Sequence, residues 1–236
     1  MQRSHHLVRE VAKYHDLYLL AFVQNKLLAS TFPTVREGLD ESQRVLSGFC
    51  RHVEFVPIPS EQHQLGVPWL ALSSLLRRDP STVNWLKSGT MATAVDRLAG
   101  QVPLDLVHFD TISLAPYLPR VEQLATVMDH HSIESHMLLR RAEKESSLLK
   151  RLYYWQEGFR LRRYETRICA RMDANITCSD LDSDRLRELI GNHSRVTEIP
   201  NGVDIDYFKP MGRDVLPHSM VFVGSLNWYP NRDAML

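Results

Sequence analysis

The chain shows two patterns of apolar residues: short continuous runs, and longer stretches in which apolar residues recur at helical spacing. Leu7, Val8, Val11 and Ala12 lie on one face of a helix, whereas the run at 17–23 is typical of a buried strand. The same patterns predict further strands at 53–58, 104–109, 124–128, 174–178, 196–199 and 220–223. They predict further helices at 35–49, 67–78, 81–99, 133–172 and 179–190.

Strands that alternate with helices of this length indicate βαβ units and a parallel sheet. We therefore predict an α/β fold, with a Rossmann-like parallel sheet that carries helices on both faces. The start and end of one helix can be read directly, since Ser179 stands at an N-cap position with Asp182 three residues on, and Gly191 stands at the end.

The segment 199–218 is punctuated by three prolines and by the pair Asn201–Gly202, which favours a turn with positive φ. This punctuation predicts a linker. The expected organisation is a domain at 1–198, a linker at 199–218 and the start of a second domain at 219–236.

Composition and charge exclude several classes of protein. The 236 residues include 28 Lys and Arg against 28 Asp and Glu, so the formal net charge is zero, unlike that of a protein that coats nucleic acid. The cysteines at 50, 169 and 178 form no CxxC pair and indicate reduced thiols. No apolar run reaches the ~20 residues of a membrane span, and none has the form of a signal peptide. We interpret the protein as cytoplasmic.

Three motifs together resemble the glycosyltransferases of family 4, which have the GT-B fold. They are VMDHHSIESHMLLRRA at 127–142, IPNGVDIDYFKP at 199–210 and VFVGSLNWYPNRDAML at 221–236. In that family the second motif joins an N-terminal acceptor domain to a C-terminal donor domain, and the third opens the donor domain. The resemblance covers nearly the whole chain and implies the N-terminal half of a GT-B fold.

The resemblance implies an enzyme that moves a sugar from a nucleotide-sugar donor to an acceptor hydroxyl, with retention and without a metal or other cofactor. It also implies that the chain is truncated at both ends, lacking the family's first strand and most of its donor domain. We therefore expect an interruption of the sheet between the strands at 17–23 and 104–109, and no activity from this chain alone. The alternative is a non-enzymatic remnant or a partner-binding domain that kept the fold.

The first candidate site follows the strand at 104–109, where His108 and Asp110 lie at its carboxyl end. Ligands of open α/β sheets bind at that edge. Motif alignment puts Asp110 at a catalytic position of the family, where a carboxylate would serve as general base or orient a hydroxyl, and His108 would bind substrate. Asp110 also fits the cap of the turn at 111–113.

The second candidate site is the sequence Asp129-His130-His131, followed by Glu134. The resemblance makes His130 a second catalytic candidate, and His131 and Glu134 substrate-binding groups. Without the resemblance, three such residues in a row are typical of a metal site and of DHH phosphoesterases, which would make the protein a metal-dependent phosphoesterase. A third interpretation is helix capping by Asp129 or Ser132.

The linker and the last motif supply the remaining candidates. Asn201 and Gly202 would present backbone amides to a cleft and bind substrate, while Gly224 and Ser225 would approach the donor phosphate after a strand. Basic residues often hold the diphosphate in this family, yet the first one after Gly224 is Arg232.

The segment 134–173 is basic and contains interleaved aromatic residues. It has ten Lys and Arg against six acids, a net charge of +4. Such a helix either lies on an anionic membrane surface, as in relatives that act on lipid-linked acceptors, or is a solvated charged helix. The first interpretation would place the protein peripherally at the inner face of the membrane. Nucleic acid is not an expected partner.

Overall fold

The computed structural model describes residues 2–61, 74, 79–209, 212, 217–226 and 229–235. The chain divides into two compact units, Met1–Asn201 and Gly202–Leu236. All strands of the described part of the chain belong to the first unit. The predicted helix at 67–78 lies, except for Ser74, outside the described residues. The predicted linker at 199–218 and the predicted second domain at 219–236 remain predictions.

Strands and helices alternate through the first unit, as the apolar pattern predicts. The strands are β1 (Tyr18–Val23), β2 (His52–Pro57), β3 (Leu106–Phe109), β4 (Ala125–His130), β5 (Ala174–Thr177) and β6 (Arg195–Glu198). Its helices are α1 (Gln2–Val11), α2 (Asn25–Thr31), α3 (Val35–Leu46), α4 (Ser81–Asn84), α5 (Gly89–Gln101), α6 (Glu134–Lys144), α7 (Leu148–Cys169) and α8 (Asp180–Ile190). The second unit contains α9 (Tyr229–Ala234).

The strands form two parallel sheets. β1 pairs with β2, with Tyr18 opposite His52. The second sheet has the order β3-β4-β5-β6, and every neighbouring pair is parallel. Helices flank both sheets, so the predicted α/β fold with a Rossmann-like parallel arrangement is confirmed. The expected interruption is also present, because β1 does not pair with β3 among the described residues.

Buried apolar side chains of strands and helices form the core of the first unit. Met128 from β4, Leu161 from α7 and Leu186 from α8 are fully enclosed. α6 and α7 pack closely at Gly158, where a Cβ atom would come within 2.8 Å of the Leu139 side chain. The glycine therefore permits the close approach of two helices that cover the sheet.

Several helix ends follow the local signals. The Ser179 side chain accepts a hydrogen bond from the backbone N–H of Asp182, as the capping pattern predicts, and Gly191 ends α8 with a φ of 59°. The predicted helix at 81–99 is instead two helices, because the Ser88 side chain caps a new one by accepting from the N–H of Met91. Ser88 is a local signal that the apolar pattern alone overlooks.

The second unit corrects two predictions. The predicted strand at 220–223 is wrong: these residues have no strand pairing, and Met220, Val221 and Val223 are almost fully exposed. An apolar run becomes a strand only when another strand pairs with it, and the described part of the unit supplies none. The positive φ predicted at Asn201–Gly202 is also wrong. The turn lies further on, where the Asp204 side chain accepts from the N–H groups of Asp206 and Tyr207.

Candidate functional site

The carboxyl ends of β3 and β4 bring the two predicted sites together. The strands are adjacent and parallel, with Phe109 opposite Met128. Asp110 and His131 therefore follow the ends of neighbouring strands at one edge of the sheet. We call Asp110, His131 and Ser4, which α1 brings to the same edge, the edge cluster.

Asp110 is held on two sides. The Ser4 hydroxyl donates a hydrogen bond of 2.9 Å to Oδ2, and His131 Nε2 lies 3.3 Å from Oδ1. Its side chain is nevertheless 41% exposed. Asp110 does not cap the following turn, since Thr111 Oγ1 accepts from the Ser113 N–H there. The carboxylate is thus positioned but still open to a ligand.

Electrostatic interactions favour the charged forms of Asp110 and His131. Desolvation opposes ionisation of Asp110, but hydrogen bonds from His131 and Ser4 and the field of His131 and His108 lower the pKa of its carboxyl. The hydrogen bond to Asp110 raises the pKa of His131 against a smaller effect of desolvation. The two shifts favour the imidazolium–carboxylate form of the pair.

Asp129 follows a different pattern, because it is completely buried and bound by Arg3. The guanidinium Nε and Nη2 each lie 3.2 Å from a different carboxylate oxygen, which is a bidentate pair. Arg3 Nη1 also donates to the carbonyl of Ile199 at 2.8 Å and to Asn201 Oδ1 at 3.1 Å. Arg3 thereby ties α1 to the end of β4 and to the chain beyond β6. His108 is partly exposed, with Nε2 4.0 Å from Asp129 Oδ2.

His130 lies in the interior, away from the edge cluster. Its Nε2 is 3.0 Å from Asn175 Oδ1 and 3.8 Å from Cys169 Sγ, and the residue is 3% exposed. Burial lowers the pKa of its imidazole and favours the neutral ring. The enclosed ring uses Nε2 to contact Asn175, and the catalytic role of His130 stays a prediction.

Glu134 begins α6 and accepts a hydrogen bond of 2.9 Å from Thr111 Oγ1. Desolvation raises the pKa of its carboxyl. Behind it, Glu165 of α7 is fully buried; one oxygen accepts from the Ser135 N–H, and the other has no hydrogen-bond partner among the described residues. Desolvation, aided by Glu134, raises the pKa of Glu165 to about 8. A carboxyl that sequence patterns did not single out therefore lies buried beneath the site.

The metal interpretation of Asp129-His130-His131 fails on geometry. Asp129 faces Arg3, His130 faces Asn175 and His131 faces Asp110. Three such ligands must converge on one point to hold an ion. Within the described ranges, no group of three His, Cys, Asp or Glu side chains could do so. The phosphoesterase alternative thus loses its site.

The remaining predicted residues are spread over two units. Asn201 ends the first unit, where its side chain is used by Arg3. Gly202 begins the second unit and is exposed. Gly224 and Ser225 also belong to the second unit, where Asn231 Nδ2 donates to the Ser225 carbonyl at 3.1 Å. The roles of Gly202, Gly224 and Ser225 in substrate binding stay predictions.

Sequence reasoning missed Arg3, Ser4, Asn175 and Glu165. Arg3 and Ser4 stand at the start of α1, and their carboxylate partners lie 126 and 106 residues away. No local sequence pattern indicates hydrogen bonds between residues so far apart in the chain. The sequence does contain one indication of Glu165. It lies on the apolar face of its helix, next to the core residues Leu161 and Ile168.

Comparison with known proteins is consistent with this architecture. No curated protein matches the chain, and no solved structure does. The family model described as Glycosyltransferase Family 4 matches residues 5–207, which include both sheets and two members of the edge cluster, Asp110 and His131. The chain therefore belongs to glycosyltransferase family 4.

Proposed function

We propose that this chain supplies the acceptor-binding part of an enzyme that transfers a sugar from a nucleotide-sugar donor to a hydroxyl group. Membership of the family supports a glycosyltransferase function in general. The observation that carries the finer proposal is the exposed Asp110 carboxylate, fixed by Ser4 and His131 at the carboxyl edge of a parallel sheet. Ligands of such sheets bind at that edge.

The acceptor hydroxyl would donate its hydrogen bond to Asp110. During transfer the acceptor oxygen bonds to the anomeric carbon of the sugar. The bond from that carbon to the donor phosphate breaks, and the phosphate leaves as an anion. The acceptor proton passes to Asp110. Because the lowered pKa makes Asp110 a weak base toward the free hydroxyl, it first orients and polarises that hydroxyl and takes its proton only as the new bond to the anomeric carbon forms.

His131 has a supporting role in this proposal. Its contact with Oδ1 opposes rotation of the Asp110 carboxylate. The lone pairs of the carboxylate that His131 and Ser4 do not use are available to the substrate. The positive charge of His131 would also partly compensate the phosphate charge that develops nearby. Ser4 fixes the second oxygen from the opposite element, α1.

The test is a sugar-transfer assay of the protein, with Asp110→Asn as the variant. The amide keeps the shape and removes the charge, so we expect kcat to fall by about 10²–10⁴, the usual contribution of such a group. The unfolding midpoint should hardly change. Asp96→Asn is the matched control, because Asp96 is another exposed carboxylate paired with a cation, Arg120, on a different surface.

Near-full activity of Asp110→Asn would overturn the role of Asp110. Retained nucleotide-sugar binding without transfer in the wild-type protein would favour the non-enzymatic alternative.

A further inference from the structure

The first turn of α6 is capped from another helix. The N-cap position is held by Ile133, whose side chain makes no capping hydrogen bond. The acceptor comes instead from Glu165 of α7, since its Oε1 accepts a hydrogen bond of 3.2 Å from the backbone N–H of Ser135. Ser135 is 2% exposed and Glu165 is 1% exposed, so this contact is shielded from water. Glu165 therefore satisfies a backbone donor at the start of a helix that lies earlier in the chain.

The same turn of α6 is joined to the residues around Asp110 at two points. Thr111, which follows Asp110, donates a hydrogen bond of 2.9 Å to Glu134, the first residue of α6. His131, which lies just before this turn, has its Nε2 3.3 Å from Asp110 Oδ1. A displacement of the first turn of α6 would therefore move Glu134 and His131 together and change the direction of the Asp110 carboxylate.

We propose that Glu165 is a positioning residue for sugar transfer, which holds the first turn of α6 and, through that turn, the direction of the Asp110 carboxylate. This proposal rests on the function proposed for Asp110. Glu165 is enclosed and acts through Ser135 and the turn rather than by contact with a substrate. A displacement of about 1 Å can reduce the rate of a reaction about a hundredfold, so a buried cap can control turnover from beneath the site.

The charge of Glu165 affects how it holds the turn. Desolvation, aided by the charge of Glu134 and opposed by hydrogen bonds from Ser135, raises the pKa of Glu165 to about 8. Desolvation also raises the pKa of Glu134 on α6, and burial raises the pKa of the Cys169 thiol on α7, which stays neutral. Below about pH 8 a neutral Glu165 caps the turn without repelling Glu134. At higher pH two buried carboxylates would repel each other at the start of α6, and the turn would shift.

The test compares two variants of Glu165 in the sugar-transfer assay. Glu165→Gln keeps an oxygen for the Ser135 N–H and cannot ionise. We expect its kcat to match that of the wild type near pH 6 and to exceed it about tenfold near pH 9, because the neutral form of Glu165 is lost as pH rises through about 8. Comparison of the two proteins at one pH removes the contributions of Asp110 and His131, which are present in both.

The second variant, Glu165→Leu, removes the cap and places an apolar side chain on the face shared with Leu161 and Ile168. It should remain folded, because leucine buries apolar surface where Glu165 has an oxygen without a hydrogen-bond partner among the described residues. We expect kcat to fall roughly tenfold or more at every pH. Circular dichroism checks the fold. Turnover that is kept by glutamine and lost with leucine in a folded protein is not the result of a purely structural role.

The matched control for the assay is Glu157→Gln. Glu157 is equally buried on the same helix, but its partners are Ser81 and Arg160 rather than the start of α6. This variant should be less stable than the wild type and should keep the wild-type dependence of kcat on pH. A loss of stability alone would therefore not reproduce the effect expected for Glu165.

An NMR titration of backbone amides tests the cap without an assay of sugar transfer. The Ser135 resonance should titrate with a midpoint of about 8 in the wild type and should not do so in Glu165→Gln. The Asp110 resonance should show a corresponding step that is also lost in Glu165→Gln, which would connect the cap to the site. In Asp110→Asn the Ser135 titration should persist, which separates a failure of the cap from a failure of the chemistry proposed for Asp110.

Three results would overturn the proposal. The first is a Ser135 resonance that does not titrate in the wild type, and the second is an equal kcat of the wild type and Glu165→Gln near pH 9. The third is full activity of a folded Glu165→Leu. If the wild type transfers no sugar, the Asp110 resonance decides: a step that is lost in Glu165→Gln supports the positioning role, and an unchanged step rejects it.

Discussion

Asp110 and Asp129 occupy similar places in the fold and have different surroundings. Asp110 follows the end of β3, and Asp129 lies near the end of the neighbouring parallel strand β4. Asp129 has no exposed side-chain surface and is bound by Nε and Nη2 of the Arg3 guanidinium. Asp110 is 41% exposed and is contacted by a serine and a histidine, with room for a further ligand.

The difference shows what a strand-end carboxylate needs in order to act on a substrate. Both carboxylate oxygens of Asp129 are bound by Arg3, so Asp129 serves as a contact between α1 and the end of β4. Asp110 is fixed in direction by weaker, partly exposed contacts and keeps capacity for a ligand. The position at the edge of the sheet identifies carboxylates that could bind a substrate. The contacts that each carboxylate makes within the protein decide which of them is available to that substrate.

The largest expected difference between Asp129 and Asp110 is in the loss of free energy of unfolding when each is replaced. Asp129→Ala leaves the buried Arg3 without a counter-charge, and we expect the free energy of unfolding to fall by about 3–5 kcal/mol. Asp110→Ala removes a partly exposed pair and should cost about 1 kcal/mol or less. Urea denaturation of both variants measures the difference. A double variant, Arg3→Met with Asp129→Leu, should lose less stability than Asp129→Ala alone, because it leaves no buried charge without a partner. Equal losses of stability in Asp129→Ala and Asp110→Ala would show that burial and Arg3 do not distinguish the two carboxylates.

Glu165 extends the comparison to a carboxyl that is buried but has no arginine. Its pKa is raised from 4.5 to about 8, so the folded protein holds a proton that the unfolded chain releases above pH 4.5. Stability from this group is fully present below pH 4.5 and is lost as pH rises toward about 8. Glu165→Gln should abolish this decline and stabilise the protein at pH 9 by a few kcal/mol.

The matched control for Glu165 is Glu157→Gln. Glu157 is equally buried on the same helix, but it accepts from Arg160 at 2.5 Å and from the Ser81 N–H at 2.7 Å. Its substitution should destabilise the protein, because Arg160 would lose its carboxylate. Unfolding curves between pH 5 and pH 9 test both variants, and a stabilising effect of Glu157→Gln would show that Arg160 does not depend on the Glu157 carboxylate.

The smallest expected effect concerns His131. Its pKa is raised mainly by the hydrogen bond to Asp110, so Asp110→Asn should return it toward its ordinary value. The stability that this pair contributes is present below the unfolded pKa of His131 and is lost as pH rises through the folded pKa. Because both groups are partly exposed, that contribution should be within about 1 kcal/mol. NMR titration measures the pKa, with Asp96→Asn as a variant that should leave it unchanged. A His131 titration curve that is identical in Asp110→Asn would show that the pair does not form in solution.

Much of the first unit could be predicted because its signals are local. Apolar runs gave the strands β1 to β6 within a few residues, and Ser179 marked the start of α8. The rule that ligands of parallel sheets bind at the carboxyl ends of the strands also identified Asp110 as a candidate from the sequence. The strand predicted at 220–223 is wrong because strand formation requires a partner that an apolar run cannot itself supply.

The sequence by itself determined the α/β alternation, the caps and the edge at which the candidate carboxylates lie, since each follows from interactions between residues close in the chain. Only the tertiary structure decided that Arg3 neutralises Asp129, that His130 is enclosed by Asn175, and that Asp110 stays open to solvent. Those outcomes depend on burial and on partners up to 126 residues apart. The free energy of a charged or polar side chain depends on what surrounds it, and the surroundings exist only once the chain has folded.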